Sequence, residues 1–210
     1  MPVLASVTLA GARVRLEPLA RTHVPALVAA ADGPRETFGY TWVPADASGM
    51  TAYVDEALRQ HAEGRALPFA TLDAASGRVV GSTRYLNVEF WAWPPGNPLQ
   101  RGEERPDVVE IGATWLAPAA QRTAINTEAK LLMLTHAFEV WRVHRVSLMT
   151  DARNTRSRTA ILRLGARFDG VIRAARVAVD GGIRDTAAFS IVEAEWPAVK
   201  AGLQAGLSTT

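Results

Sequence analysis

The 210-residue chain has no cysteine, which removes disulfides, thiolate metal sites and cysteine nucleophiles together. Its four histidines are scattered without metal-ligand spacing, so no metal is implied. Neither sign of charge dominates: 23 Lys and Arg stand against 21 Asp and Glu, a net +2. That is too small a balance to argue for a nucleic-acid partner. No run approaches the roughly 20 apolar residues of a membrane span. The start, Met1, Pro2, Val3 and Leu4, lacks a basic region followed by an apolar signal core. A cytoplasmic protein is expected. No linker-like, repetitive or low-complexity run divides the chain, and 48% hydrophobic residues suffice for one substantial core. One domain over residues 1–210 is expected.

What is present is a series of short, well-punctuated elements. Residues 11–16 alternate Val14 and Leu16 with Arg13 and Arg15, the pattern of a half-exposed strand that Pro18 ends. Thr22 is placed to cap a helix with Val24, Leu27, Val28 and Ala31 on its apolar face. Beyond Pro34, Gly39, Pro44 and Gly49, either Ser48 or Thr51 is placed to cap a second helix through Tyr53, Ala57 and Leu58. Residues 67–72 and 78–88 read as paired strands about a Ser76, Gly77 turn. Residues 90–106 hold Trp91, Trp93 and several prolines, too proline-rich for a core strand and too aromatic for a solvated tail. Near the C-terminus, residues 167–179 and 183–192 read as strands about the hairpin signal Asp180, Gly181, Gly182. A last amphipathic helix carries Trp196, Val199 and Leu203, with Pro197 in its first turn.

The stretch 110–166 carries the most information. A strand from Glu110 to Leu116 is broken by Pro118, and the turn 121–126 then opens a long apolar helix over 124–141. Ile125, Ala129, Leu132, Met133, Ala137 and Trp141 are its core candidates; Glu128, Thr135 and Glu139 form a polar stripe. A second strand, 145–150, and a short helix from Asn154 to Leu164, Gly165 and Ala166 complete the unit. A turn that opens a helix aims backbone N–H groups at whatever sits there, which makes a seat for a phosphate-bearing cofactor.

This unit resembles the cofactor-binding half of the GNAT superfamily acetyltransferases, most closely the branch that acetylates N-termini of ribosomal proteins. In that superfamily the turn reads Gln/Arg-x-x-Gly-x-Gly/Ala, and Gln121, Arg122, Thr123, Ala124, Ile125 and Asn126 fill it in register. A second hallmark, Asn-x-x-Ser/Ala followed about ten residues later by Gly and an apolar residue, matches Asn154, Ser157, Gly165 and Ala166. The match departs at Ala124 for glycine, at Asn126 for glycine or alanine, and at Ile161 for the tyrosine that many members carry as general acid. Alanine tolerates the helical backbone of a first turn, so cofactor binding survives the first change more easily than the chemistry survives the last.

The resemblance implies an α/β (α+β) fold: a central mixed, mostly antiparallel sheet of six to seven strands flanked by about four to five helices. It also implies acetyl-CoA as co-substrate, an amine acceptor, and a splayed pair of strands flanking the long helix. Acetyl transfer to an amine needs a base for the amine, a donor for the oxyanion and a proton or hydrogen bond for the leaving thiolate. Glu110 interrupts the apolar run of Val108, Val109 and Ile111 and is the candidate base, alone or through a water; a solvated strand face or a neutralising arginine also explains it. Ser157 is the candidate acid or thiolate donor, or it bonds back to the preceding turn. Asn154 caps its helix and is a candidate for cofactor binding. Arg122, Arg153 and Arg158 adjoin the two motifs and are candidate partners for the phosphates of coenzyme A. Trp42, Trp91 and Trp93 are candidates for the acceptor pocket, with the 90–106 loop as its roof; Trp91 and Trp93 cover the core edge or a dimer partner on the other reading. His136 and His144 are read as structural. A homodimer is expected from the aromatic content. Two alternatives stand beside the enzyme: a non-catalytic acyl-CoA sensor of the same fold, and a basic module docking on ribosomal RNA or protein through its arginine-rich half.

Overall fold

The computed structural model describes residues 4–208. Its strands are β1 (Leu9–Ala10), β2 (Val14–Pro18), β3 (Ala66–Asp73), β4 (Val79–Glu89), β5 (Val108–Leu116), β6 (Arg145–Asp151), β7 (Arg167–Val177) and β8 (Ile183–Val192). Its helices are α1 (Val24–Ala30), α2 (Ala47–Ala62), α3 (Ala124–Thr135), α4 (Thr155–Arg163) and α5 (Trp196–Ser208). The strands form one eight-stranded sheet in the order β1-β2-β3-β4-β5-β6-β8-β7. Every pairing is antiparallel except β5 with β6. The mixed, mostly antiparallel sheet matches expectation. Its additional strand is β1, whose two residues are too few to leave a period in the sequence.

Two apolar layers cover the sheet. On one face Leu16, Phe69, Tyr85 and Ile111 pack with Met133 and Leu134 of α3 and with Trp196 and Leu203 of α5. On the other, Leu27 of α1 and Met50 and Val54 of α2 pack on Ala70, Leu72 and Trp115. The cap of α2 is Asp46, whose carboxylate accepts from the Gly49 amide at 2.7 Å, rather than Ser48 or Thr51. At α1 the cap position is His23, after a 3-10 turn, rather than Thr22. Helix α3 runs regularly to Thr135 and continues to Trp141 in a wider, π-helical turn.

The polar stripe expected on α3 is divided by tertiary contacts. Glu139 is exposed and pairs with Lys200 at 2.7 Å. Glu128 is buried and accepts from the amides of Ala12 (3.2 Å), Arg13 (2.6 Å) and Val14 (2.8 Å). It holds the turn between β1 and β2 against the helix, satisfying donors that the short hairpin cannot satisfy internally.

Two bulges shape the centre of the sheet. Between the pairs Ser82 with Trp115 and Arg84 with Gly112, β5 carries one residue too many, and Ala113 there has φ +47°. Between Leu86 with Glu110 and Glu89 with Val108 the extra residue lies on β4, where Asn87 also has φ +47°. An added residue reverses the in-and-out alternation of a strand. Glu110 therefore lines a cavity on the α2 side, whereas Thr114, an even number of residues later, bonds to Lys130 of α3 on the opposite side.

Candidate active site

The parallel pair β5 and β6 forks. Register partners run only from Val108 with Arg145 to Glu110 with Ser147. Past that point β6 continues in register with β8 through Asp151, while β5 continues with β4 to Leu116. The strands expected to splay do so, and Glu110 sits at the crotch.

Glu110 is 5% exposed. Burial raises its pKa above the usual carboxylate range; the hydrogen bond from Asn87 and the charges of Arg176 and Arg184 oppose the rise without cancelling it. Asn87 Nδ2 donates to Glu110 Oε2 at 2.7 Å, an interaction that the β4 bulge makes possible by turning the amide inward. Two residues on, Gly112 leaves the carboxyl room: a Cβ there would lie 2.9 Å from Glu110 Oε1 and 3.1 Å from Leu86 Cδ2, so both side chains would have to shift. The cavity in front of the carboxyl has a volume of about 580 Å³ and is walled by Gln60, Leu86, Asn87, Ser147, Met149 and Arg176 among others. That size suits a small molecule or the end of a peptide.

At the far end of β5 the turn 121–126 leads into α3. Arg122 takes the left-handed conformation, φ +62°, and Thr123 caps the helix by accepting from the Ile125 amide at 3.3 Å. The strained position is thus Arg122, while Ala124 is the first residue of the helix and has no need of glycine. Gln121 is tied down, donating to the Leu116 carbonyl at 3.0 Å and accepting from Arg156 at 3.3 Å. Ala124, Ile125 and Asn126 form the first turn, whose forward-facing amides and helix dipole suit the diphosphate of coenzyme A. Arg122 is exposed and makes no side-chain hydrogen bond or ion pair among the described residues. It is free to meet a phosphate.

Asn154 caps α4 as expected, accepting from the Ser157 amide at 3.0 Å. Ser157 lies half-buried in the first turn of α4, one turn before Ile161, which is buried in the core and offers no hydroxyl. Arg153 is committed elsewhere: it pairs with Asp151 and Asp180, both at 2.8 Å, and lies 5.5 Å over the Tyr40 ring. Arg158 donates to the Ala152 carbonyl at 3.2 Å and lies over Phe168. The two have carboxylate, carbonyl and aromatic partners within the chain, which the spacing of the motifs does not reveal.

The three tryptophans do not wall the cavity. Trp91 stacks on His144 with ring centroids 5.6 Å apart. The Trp91 amide and Trp93 Nε1 both donate to Asp107 at 2.7 Å. The proline-rich loop is thereby fastened to the residue before β5, and Trp91 Nε1 also donates to Glu89, on the cavity rim, at 3.1 Å. Trp42 is 63% exposed, in the connection before α2. His136 packs against Tyr85 and Trp141, and burial lowers its pKa. Both histidines have the structural surroundings expected of them.

Sequence reasoning missed Asn87 and Lys130. Nothing in a strand pattern marks an asparagine as a carboxylate partner. Lys130 is buried on α3, donating to Thr83 at 3.2 Å and Thr114 at 2.7 Å, and burial lowers its pKa from 10.5 to about 7. The only local signal was a lysine directly before the apolar run Leu131, Leu132, Met133 and Leu134.

Comparison with known proteins agrees with this geometry. Residues 13–167 match the acetyltransferase (GNAT) domain family. A GCN5-related N-acetyltransferase from Brucella melitensis is 32% identical, with a TM-score of 0.80 over 97% of this chain and 86% of that one. RimJ of Mycobacterium smegmatis, solved in complex with CoA-disulfide, is 22% identical, with a TM-score of 0.78 over 96% and 95% of the two chains. A RimL ribosomal L7/L12 alpha-N-protein acetyltransferase, solved with coenzyme A, has the same fold at 16% identity and a TM-score of 0.69, covering 89% and 98%. No curated protein gave a significant match. A forked parallel strand pair, a helix opening beyond it and a family match over most of the chain agree, and the chain belongs to the GNAT acetyltransferase family.

Proposed function

We propose that this protein is an acetyl-CoA-dependent N-acetyltransferase that moves the acetyl group directly to a primary amine, either a protein or peptide N-terminus or a small molecule. The observation that carries the reading is the buried Glu110 at the crotch of the β5 and β6 fork, facing a cavity large enough for an acceptor. When bound, acetyl-CoA supplies the activated acetyl group as a thioester. The first turn of α3, with Arg122, Ala124, Ile125 and Asn126, would hold its diphosphate, Gln121 and Thr123 fixing the shape of the turn. Arg153 and Arg158 join the phosphate site only by leaving the partners they now have.

Glu110 takes the proton from the acceptor amine, directly or through a water. Its raised pKa makes it a stronger base than an exposed carboxylate, and Asn87 keeps it pointed into the cavity. Ser157, a half-buried hydroxyl one helical turn before Ile161, is the group assigned to the departing sulfur. The chain has no cysteine to carry an acyl group, which favours transfer in a single step. In this reading the 210 residues act as one catalytic domain in the cytoplasm. No helix among the described residues is long and apolar enough to cross a membrane. Association into a homodimer belongs to the same reading, and exposed Phe168, Val171, Ile172 and Val177 on the edge strand β7 favour that surface; sedimentation would settle it.

Calorimetry with coenzyme A, followed by thiol release from acetyl-CoA in the presence of amines, tests the function. Uptake of the carrier with amine-dependent release is the expected result. Uptake without release would support the sensor alternative, and no uptake would overturn the assignment.

A further inference from the structure

We infer that the acceptor is a primary amine that also carries a carboxylate, with the amine directed to Glu110 and the carboxylate to arginines gathered on the cavity wall. This rests on the acetyl-transfer reading above and adds the substrate class. The cavity is bordered by Arg65, Arg145 and Arg176 against two carboxylates, Glu89 and Glu110. Arg65 is spoken for by Glu63 at 2.5 Å. Arg145 and Arg176 make no hydrogen bond or ion pair with a carboxylate among the described residues.

The hairpin of β7 and β8 makes this unusual. Arg176 is the direct cross-strand partner of Arg184, and like charges placed opposite each other destabilise a sheet; the field of Glu110 reaches both and that of Asp151 reaches Arg184, but neither arginine forms an ion pair among the described residues. Arg184 spends its Nε on Thr186 at 3.1 Å. A third guanidinium lies behind the wall: Arg84 is 5% exposed, sits 4.8 Å over the Tyr53 ring and touches Gln60 only at 3.4 Å, and its Nε has no hydrogen-bond partner. Buried cations are normally paired. An oxyanion in the cavity would relieve the Arg176 and Arg184 pair and meet the field of Arg84, while a diamine or an aminoglycoside would be repelled by it.

The test uses the intact protein at saturating acetyl-CoA. Thiol release is followed with free amino acids against their C-terminal amides, with alanine-led tripeptides amidated at the C-terminus and carrying Asp or Lys at the second position, and with putrescine. Carboxylate-bearing acceptors are expected to exceed their neutral partners in kcat/KM by about tenfold or more. Putrescine should be the poorest substrate. In Arg176→Gln and Arg145→Gln that ratio should fall toward one, mainly through KM. Preference for the amino acids points to a small-molecule source, and preference confined to the Asp tripeptide points to an acidic N-terminus. Amides or putrescine turning over as well as the acids would overturn the inference while leaving acetyl transfer intact. Should no amine release thiol, titration of N-acetyl amino acids and N-acetyl amino-acid amides into the coenzyme A complex decides it separately: tighter binding of the acids, lost in Arg176→Gln, supports the anion site, and equal or undetectable binding refutes it.

Discussion

At the scale of single residues, two ionisable groups sit in unfavourable surroundings. Glu110 is one. Its pKa is raised by burial, so the folded state holds its proton to higher pH than the unfolded chain, and stability is lost as pH rises through that window. Glu110→Gln is therefore expected to be at least as stable as the parent at neutral pH. Its turnover should drop about 100-fold or more wherever the carboxylate is the working form, and the acidic limb of the pH–rate profile should disappear. Retention of that limb would remove Glu110 from the mechanism. Lys130 is the second. With its pKa lowered to about 7, the folded protein carries it neutral over a range in which the unfolded chain keeps it charged. The unfolded state then binds more protons, so stability should climb between about pH 7 and 10 from this group. Urea midpoints measured across that range should show the climb in the parent and its absence in Lys130→Met. Glu110 was legible in the sequence as a carboxylate inside an apolar run; Lys130 was not, because its surroundings come from β4 and β5.

At the scale of elements, turn chemistry and periodicity gave most of the boundaries, and long-range hydrogen bonds gave the exceptions. Asn154 reads as a cap and is one, since the cap and the amide it accepts from lie only three positions apart. Glu128 reads as solvated and is not, because its partners lie more than a hundred positions away in the turn before β2. Replacing Glu128 by Gln leaves one oxygen for three amides and should cost about 1–3 kcal/mol by chemical denaturation. A Glu128→Gln protein of parental stability would mean that those amides find other acceptors. The two bulges behave like Glu128. One extra residue in β5 and one in β4 decide which face Glu110, Thr114 and Asn87 address, and an unaligned strand pattern of apolar residues does not mark where the extra residue falls.

At the scale of the whole molecule, the fork between β5 and β6 opens the sheet beyond three paired positions, and a ligand lodged there would bridge both sides of the gap. Coenzyme A at one hundred times its Kd is expected to add about 2.7 kcal/mol of stability. For a chain of this length that corresponds to a rise in Tm of roughly 5–10 °C, readable by scanning calorimetry. A flat response would argue that the fork does not take up the carrier. The 90–106 loop belongs to this scale too: its composition marked it as something that packs, but only the fold seats Trp91 on His144, its amide on Asp107 and its indole on Glu89 at the cavity rim. The sequence by itself determined the order of strands and helices, the turn that opens α3, the cap of α4 and the carboxylate inside the apolar run of β5, because each is written in neighbouring residues through periodicity, capping and turn conformation. The tertiary structure alone decided which cations lost their counterions, which acids were buried and which arginines share one cavity. Those outcomes depend on distances between strands that are remote in the chain, where a single inserted residue reverses the direction in which a side chain points.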